Sequence, residues 1–403
     1  MKILVANKYY YQRGGADIHS IDLEGLLKSK GHDVAFFSMH HPLNMISQYS
    51  DYFPEGVNFD QPTNKDLIAG MIRPFGAYEV RRKFKKLLRD FKPDIVHLHN
   101  VHTQLSPVLA LIAKRNRIPV LWTIHDHKLI CPRYDCMRNG SPCELCFTRK
   151  YNVVRYKCMK NSTLASIVAL LEHCAWNKKV LSRNTDVFIC PSEFLLKNMI
   201  KGGYRKEKLI HLPNFILENK LSEVKPVKKN YYCFIGRLSP EKGIETLLKA
   251  AIDLPQFKLK IIGTGPLENT LKAKYQRSHI DFMGFREWDG LKDILSNARC
   301  MIFPSECYEN NPLSIIESLC LGTPVIGSRI GGIIELLDQE VNGLTYESGN
   351  VDDLRNQIVS LFSNESKFNY SEISRNAIEK FRSEKYYANL INYYTGLLNK
   401  NLR

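Results

Sequence analysis

Short apolar runs of strand length alternate with stretches of helical spacing along most of this chain. That alternation predicts parallel sheets covered by helices. In the first half the strand candidates are Ile3–Ala6, Val34–Ser38, Ile95–His99, Val120–Ile124, Val187–Cys190 and Ile210–Leu212. Helical spacing marks Ala16–Lys30, Gln104–Lys114, Ser162–Leu181 and Glu193–Lys201. A second series has strands at Tyr231–Ile235, Leu259–Ile262, Ile280–Met283, Cys300–Phe303, Pro324–Gly327 and Gly343–Tyr346. Between the two series, residues 213–229 are charged and without period, which suits a domain boundary. A chain of 403 residues fits two domains. Residues 40–75 lack clean periodicity and read as a long loop region, a kind of segment that often carries function. The chain closes on a long aromatic helix, Glu384–Leu398, with Tyr386, Tyr387, Tyr393 and Tyr394.

Charge separates the halves. Residues 1–212 hold 33 Lys and Arg against 18 Asp and Glu, whereas residues 213–403 hold 24 against 23. A basic half implies a polyanionic neighbour, either nucleic acid or an anionic membrane surface. The densest cluster, Arg81–Arg89, places Val80, Phe84, Leu87, Leu88 and Phe91 on one helical stripe. It reads either as a basic amphipathic helix at an interface or as a core-facing helix with a solvated basic face; the charge imbalance favours the membrane. The start, Met1–Ala6, reads as a first strand and not as a signal peptide. The longest apolar stretch, near Leu164–Leu171, is far too short to cross a bilayer. A cytoplasmic protein, peripheral on the inner face of the membrane, is the expectation.

Eleven cysteines without a leader argue against a secreted disulfide framework. Five fall within 28 residues: Cys131, Cys136, Cys143, Cys146 and Cys158. Cys143 and Cys146 have the spacing that chelates zinc from a tight turn, and Cys136 and Cys158 would complete four thiolates. The irregular outer spacings, with Cys131 left over, favour reduced free thiols over a zinc site.

Two acids eight residues apart, Glu309 and Glu317, bracket Asn310-Asn311-Pro312-Leu313. Pro312 suits the first helical position, and Leu313, Ile316 and Leu319 then recur at helical spacing. Glu309 thus lies on the loop before a helix and Glu317 about two turns in. The free N–H groups of a helix start suit a phosphate or a sugar hydroxyl. Upstream, the strand Tyr231–Ile235 runs into Gly236-Arg237 and then Glu241-Lys242-Gly243. Gly236 permits a sharp turn or a close ligand approach. Arg237 and Lys242 place cations at a strand's carboxyl end, where open α/β sheets bind ligands.

These residues resemble the retaining, nucleotide-sugar-dependent family 4 glycosyltransferases. Ile262-Gly263-Thr264-Gly265-Pro266-Leu267, Gly322-Thr323-Pro324-Val325-Ile326 and Gly331-Gly332-Ile333-Ile334-Glu335 are similar to further motifs of the second domain. Arg13-Gly14-Gly15-Ala16-Asp17, His97-Leu98-His99-Asn100 and Thr123-Ile124-His125-Asp126 resemble motifs of the first. The resemblance spans about residues 3 to 346 in the family's order. It implies an α/β fold of two Rossmann-like parallel-sheet domains facing across a cleft (GT-B). Residues 1–212, with the cysteine-rich loop 131–158, would bind the acceptor. Residues 213–383 would bind the nucleotide sugar, and 384–403 would pack back on the first domain.

The implied reaction moves a hexose-type sugar from a nucleoside diphosphate to an acceptor hydroxyl, on a glycan or lipid-linked acceptor of surface polysaccharide or lipopolysaccharide assembly. Arg237 and Lys242 would stabilise the leaving diphosphate without a metal, since no Asp-x-Asp motif stands at a strand end. Glu317 would take the ribose diol and Glu309 a hydroxyl of the donor sugar, near the backbone N–H groups of Asn310, Asn311 and Leu313. Gly14, Gly15 and Gly236 would allow close approach, and His125, oriented by Asp126, would face the reacting centre. Asp17 stands where the family has Glu, one methylene shorter. Glu306 competes for the Glu309 and Glu317 roles at a less fitting offset.

An epimerase of the same fold would share the donor contacts but need further acid–base carboxylates. A basic nucleic-acid-binding protein would account for the first half, yet no nucleic-acid motif is present, so none is expected as partner. A nicotinamide dehydrogenase would need a third glycine where position 268 is Glu.

Overall fold

The computed structural model describes residues 1–58, 63–363 and 368–401. The chain separates into two compact units. The first comprises Met1–Cys136, Cys143–Pro213 and Tyr386–Arg403; the second comprises Met137–Pro142 and Asn214–Lys385.

The first unit is built on six parallel strands: β1 (Lys2–Ala6), β2 (Asp33–Phe37), β3 (Ile95–Leu98), β4 (Val120–Thr123), β5 (Val187–Cys190) and β6 (Leu209–His211). Their spatial order is β2-β1-β3-β4-β5-β6. Helices cover both faces, so the strands are near-continuous Val, Ile, Leu and Phe, as buried parallel strands must be. Ile3, Leu4, Val5, Ile95, Val96 and Trp122 are fully buried. The helices used below are α1 (Gly15–Ser29), α2 (Asn64–Ile72), α3 (Tyr78–Phe91) and α4 (Thr163–Ala175).

The second unit repeats the plan with β7 (Lys229–Ile235), β8 (Lys258–Ile262), β9 (Ile280–Gly284), β10 (Ala298–Phe303), β11 (Val325–Ser328) and β12 (Gly343–Tyr346). The order here is β9-β8-β7-β10-β11-β12. Two of its helices matter for the site, α5 (Ile244–Ile252) and α6 (Leu313–Cys320). The last helix, α7 (Ser383–Asn401), completes the first unit, where Tyr386, Leu390 and Tyr394 are buried.

In each sheet the strand order reverses once, between β1 and β3 in the first and between β7 and β10 in the second. Loops leaving neighbouring strands diverge at such a point and open a crevice at the strands' carboxyl ends. The motif residues Gly14, His97 and His99 follow or end β1 and β3. Arg237, Lys242 and Glu309 follow β7 and β10.

Four readings need correction. The span 40–75 is not all loop, because α2 lies within it; residues 59–62 of that span fall outside the described residues. The start of α2 is set by a local device, not by periodicity. Thr63 Oγ1 accepts from Asp66 N–H at 3.3 Å, and Asp66 Oδ2 accepts from Thr63 N–H at 2.9 Å. The helix expected over Ser162–Leu181 is two, because Asn177 starts a new one by accepting from the N–H groups of Lys179 and Val180 at 3.0 and 3.2 Å. The apolar stripe of α3 is core, not an interfacial face: Val80, Phe84 and Leu87 are fully buried, and Phe84 meets Phe37 edge-on at 5.0 Å. The cations Arg82, Lys85, Lys86 and Arg89 remain at that helix's surface, with Tyr78 and Asp90. Finally, Pro312 precedes α6 as its N-cap, and Glu317, the fifth helical residue, stands about one turn in.

Candidate active site

The second unit gathers charge on a short, tightly fixed loop. Beyond β7, Gly236 N–H donates to Ile262 O at 3.0 Å, and the chain turns through Pro240–Lys242 into α5. Gly243 sits at φ 64°, and a Cβ there would stand 1.8 Å from the carbonyl oxygen of Pro304. No other residue fits, so the Lys242 loop is pressed onto the loop that follows β10. Lys242 Nζ donates to Glu309 Oε1 at 2.6 Å, and Ser305 Oγ donates to the same oxygen at 2.8 Å. The Cys307 thiol reaches it at 3.8 Å. All three donors fall on Oε1, so Oε2 keeps its lone pairs for a ligand. Burial is the largest single influence on the Lys242 ammonium and works against it, but the charge and hydrogen bond of Glu309, with Cys307 and Glu241, together outweigh it and raise the pKa; the lysine stays charged.

Glu309 is itself held from behind. Its carbonyl accepts from Gly332 N–H at 2.8 Å, and a Cβ on Gly331, at φ 59°, would lie 2.6 Å from that oxygen. The Gly331-Gly332 pair thus clamps the backbone of Glu309. Arg237 is exposed, and among the described residues it forms no ion pair. Glu317 is buried on α6, with Lys220 Nζ 3.9 Å from its Oε1. Lys220 in turn lies over the Trp288 ring, 5.6 Å from its centroid. Asn311 is engaged structurally through both side chain and backbone: its Oδ1 accepts from Asn214 N–H at 2.8 Å and its carbonyl oxygen from Asn214 Nδ2 at 2.7 Å. Leu313 opens α6 and is buried. Glu306 is taken by the Thr246 hydroxyl at 2.5 Å.

The first unit gathers imidazoles instead. His97 and His99 alternate along the end of β3 and so share one face. His97 and His99 are stacked with centroids 4.5 Å apart, and His99 and His125 at 5.3 Å. His97 Nδ1 bonds the Tyr394 hydroxyl at 2.6 Å and its Nε2 bonds Thr123 Oγ1 at 2.8 Å. His99 Nδ1 bonds His125 Nε2 at 3.0 Å. The other nitrogen of His99, Nε2, is buried without a hydrogen-bond partner among the described residues. A buried orphan N–H is rarer and costlier than a buried orphan lone pair. The proton therefore belongs on His99 Nδ1, donating to His125 Nε2, and neutral His125 carries its own proton on Nδ1. Burial lowers the pKa of His97 and of His125 to about 3. For His99 too, burial and then its neighbouring histidines hold the pKa well down.

Asp126 does not orient His125; its Oδ1 accepts from Lys128 N–H at 2.9 Å. Asp17 is buried and accepts from Asn7 Nδ2 at 2.8 Å, so its shorter carboxylate is spent on the β1 loop. Burial raises its pKa against the pull of Asn7, Lys8 and Arg13. Gly14 and Gly15 open α1 with no positive φ. A Cβ on Gly14 would meet only Asp17 Oδ2 at 3.8 Å, and one on Gly15 would meet nothing within 4 Å. The fold does not require either glycine.

The four cysteines chosen by spacing are not gathered into a cage. Cys131, left over by the pattern, lies against Cys136 and Cys146, whose thiol contacts hold its pKa well down. Among the described residues, the set whose ligand atoms all lie within 4.8 Å of one another is His19, His99 and His125. That arrangement gives no reason to route chemistry through zinc on Cys136, Cys143, Cys146 and Cys158.

Sequence reasoning missed Ser305, Lys220 and Trp288, and gave no role to His99, named within a motif, or to Tyr394, placed on the last helix. The His-x-His alternation at a strand end was a readable signal for His99. Tyr394 bonds a histidine 297 positions away and left no local trace.

Two switch-point sheets with ligand-type side chains at their carboxyl ends define a GT-B glycosyltransferase. Residues 13–218 match Glycosyltransferase Family 4 and residues 216–382 match Glycosyl transferases group 1. The chain belongs to the family 4 glycosyltransferases. An uncharacterized glycosyltransferase of Methanocaldococcus jannaschii is 25% identical over 96% of this chain and 95% of its own. The Escherichia coli UDP-Gal:alpha-D-GlcNAc-diphosphoundecaprenol alpha-1,3-galactosyltransferase is 27% identical over 79% of each. Among solved structures, Anabaena HepE in complex with UDP and glucose aligns with a TM-score of 0.70 at 17% identity, covering 98% of this chain and 99% of that one.

Proposed function

We propose that this glycosyltransferase moves a hexose from a nucleoside diphosphate to an acceptor hydroxyl with retention of configuration. Its acceptor would be a lipid-linked glycan of surface polysaccharide or lipopolysaccharide assembly, met at the inner face of the cytoplasmic membrane. The observation that carries the reading is the Lys242–Glu309 pair with exposed Arg237 beside it, at the switch point of the second sheet. As the bond to the sugar breaks, negative charge grows on the leaving diphosphate. Fixed cations stabilise that charge without reorganising, so the proposed chemistry requires no metal.

Glu309 offers Oε2 to a hydroxyl of the donor sugar. Glu317 takes the ribose diol, and the N–H groups opening α6 face the sugar or phosphate. Gly14 and Gly15, which the fold leaves unexplained, are assigned to close approach of the donor phosphates. His125, neutral with its proton on Nδ1, is assigned as a hydrogen-bond donor to the sugar. The names of the relatives support donor and acceptor class: one uses UDP-Gal with a diphosphoundecaprenol-linked sugar, and another binds UDP and glucose.

The test is thermal shift and donor hydrolysis over UDP-, GDP-, ADP- and dTDP-sugars without added metal. The expected result is a shift with one nucleotide that Arg237→Ala abolishes. Shifts with nucleic acid and none with any donor would overturn the reading. Conversion of the donor to its epimer without acceptor would favour the epimerase.

A further inference from the structure

Helix α4 is folded inside out. It buries Ser166, Glu172 and His173 with Ala169, and exposes Leu164, Ile167 and Leu171, which share one face at i, i+3 and i+7. Leu164 is 65% exposed and Leu171 53%. Glu172 is inward because Lys128 Nζ pairs with it at 2.9 Å, both nearly buried. The apolar side is therefore outward by construction, and no core needs it.

Helix α2 shows the same excess. None of its residues is buried, while Leu67, Ile68, Met71 and Ile72 are all exposed on one side. The two helices are neighbours. The turn Arg73–Phe75 follows α2 and packs on α4, and Trp176 at the end of α4 donates its indole N–H to Pro74 O at 2.6 Å. Around them the charge is one-sided. Residues 149–183 contain eight Lys and Arg and a single acid, the buried Glu172. Arg155, Lys157 and Lys160 stand exposed before α4, with Lys178 and Lys179 after it.

Exposed apolar side chains gathered on neighbouring helices mark a binding face. A nucleic acid would use the cations but not the leucines. An apolar protein partner would use the leucines but leave the cations unpaired. An anionic bilayer uses both, since apolar side chains enter the headgroup–acyl boundary while lysines meet lipid phosphates.

We propose that α2 and α4 form the surface by which the first unit docks on an anionic membrane. This rests on the lipid-linked acceptor reading above and gives it a place in the fold, distinct from α3, whose apolar stripe is buried. No helix among the described residues is long and apolar enough to cross the membrane, so docking is superficial.

The test uses the full chain and sedimentation with vesicles, either phosphatidylglycerol mixed with phosphatidylcholine or phosphatidylcholine alone, without donor or acceptor. Binding is expected to the anionic vesicles, partly surviving about 0.5 M salt because the apolar part is not screened. Leu67→Ser with Met71→Ser, and Leu164→Ser with Leu171→Ser, should each weaken partition about tenfold, with melting and donor hydrolysis unchanged. Neutralising Lys85 and Lys86 on α3 should weaken it less than either pair. Vesicle binding untouched by both serine pairs would overturn the proposal. So would a concentration-dependent dimer that the pairs abolish in the absence of vesicle binding, or RNA binding in its place. Donor hydrolysis is read separately, so failure of the donor reading leaves the vesicle result intact.

Discussion

The two sheets solve the same problem with opposite materials. The second unit fixes its ligand side chains by charge and by backbone pressed against backbone: Lys242 on Glu309, Gly243 against Pro304, Gly331 against Glu309. The first unit fixes His125 through the neutral, buried ring of His99 after β3, which stacks on His97, itself bonded by Tyr394 of α7, and leaves its own glycines unconstrained. On the proposed roles, the half that meets a diphosphate holds its charges rigid, and the half that meets a sugar hydroxyl holds a defined proton position.

The comparison can be broken at several points. Lys242→Ala removes a cation and leaves the half-buried Glu309 without its ion-pair partner; kcat/KM should fall about 100- to 1000-fold in steady-state assays. Gly243→Ala should cost about 2–4 kcal/mol in denaturant unfolding, because its Cβ meets a carbonyl oxygen that cannot move alone. The histidines of the first unit predict an acid weakness confined to that unit. His97, His125 and His173 have folded pKa values of about 3, so below about 6.5 the unfolded chain binds the protons they refuse. Stability is then lost as pH falls through that window, by about 2 kcal/mol per histidine at pH 5. Hydrogen exchange read by mass spectrometry should show the first unit opening before the second.

Smaller effects sharpen the contrast. His99→Leu should lower kcat about tenfold, whereas His99→Asn, whose amide can replace the Nδ1–H donor, should recover most of it. Nitrogen NMR of His125 should show the Nδ1–H tautomer in the native protein and its loss in His99→Leu. Gly15→Ala should leave stability within about 0.5 kcal/mol while raising the donor KM; an unchanged KM would remove Gly15 from the donor site.

What the sequence made legible follows the same division. The alternation of strands and helices placed both sheets, since buried parallel strands have to be written in apolar residues. The second half-site was readable because positive φ and close approach demand glycine at Gly243 and Gly331, and such demands leave motifs. The histidine stack was not readable as a unit. Its partners come from different strands and from α7, and no spacing rule joins Tyr394 to His97. The Arg81–Arg89 cluster misled because a basic face with an apolar stripe looks alike in sequence whether the stripe meets lipid or core. The outward leucines of α4 were hidden for the converse reason: Glu172 looks like a surface residue until Lys128 is seen to draw it inward.

The placement of α7 has a consequence for how the protein is born. His97 leaves the ribosome 297 residues ahead of the tyrosine that bonds it. At about 5–20 residues per second, that interval is roughly 15–60 s. Throughout it, the nascent first half carries its sheet without the helix that buries Tyr386, Leu390 and Tyr394. The half synthesised first therefore cannot be finished first, and it is the stretch of this chain that a chaperone would meet at translation.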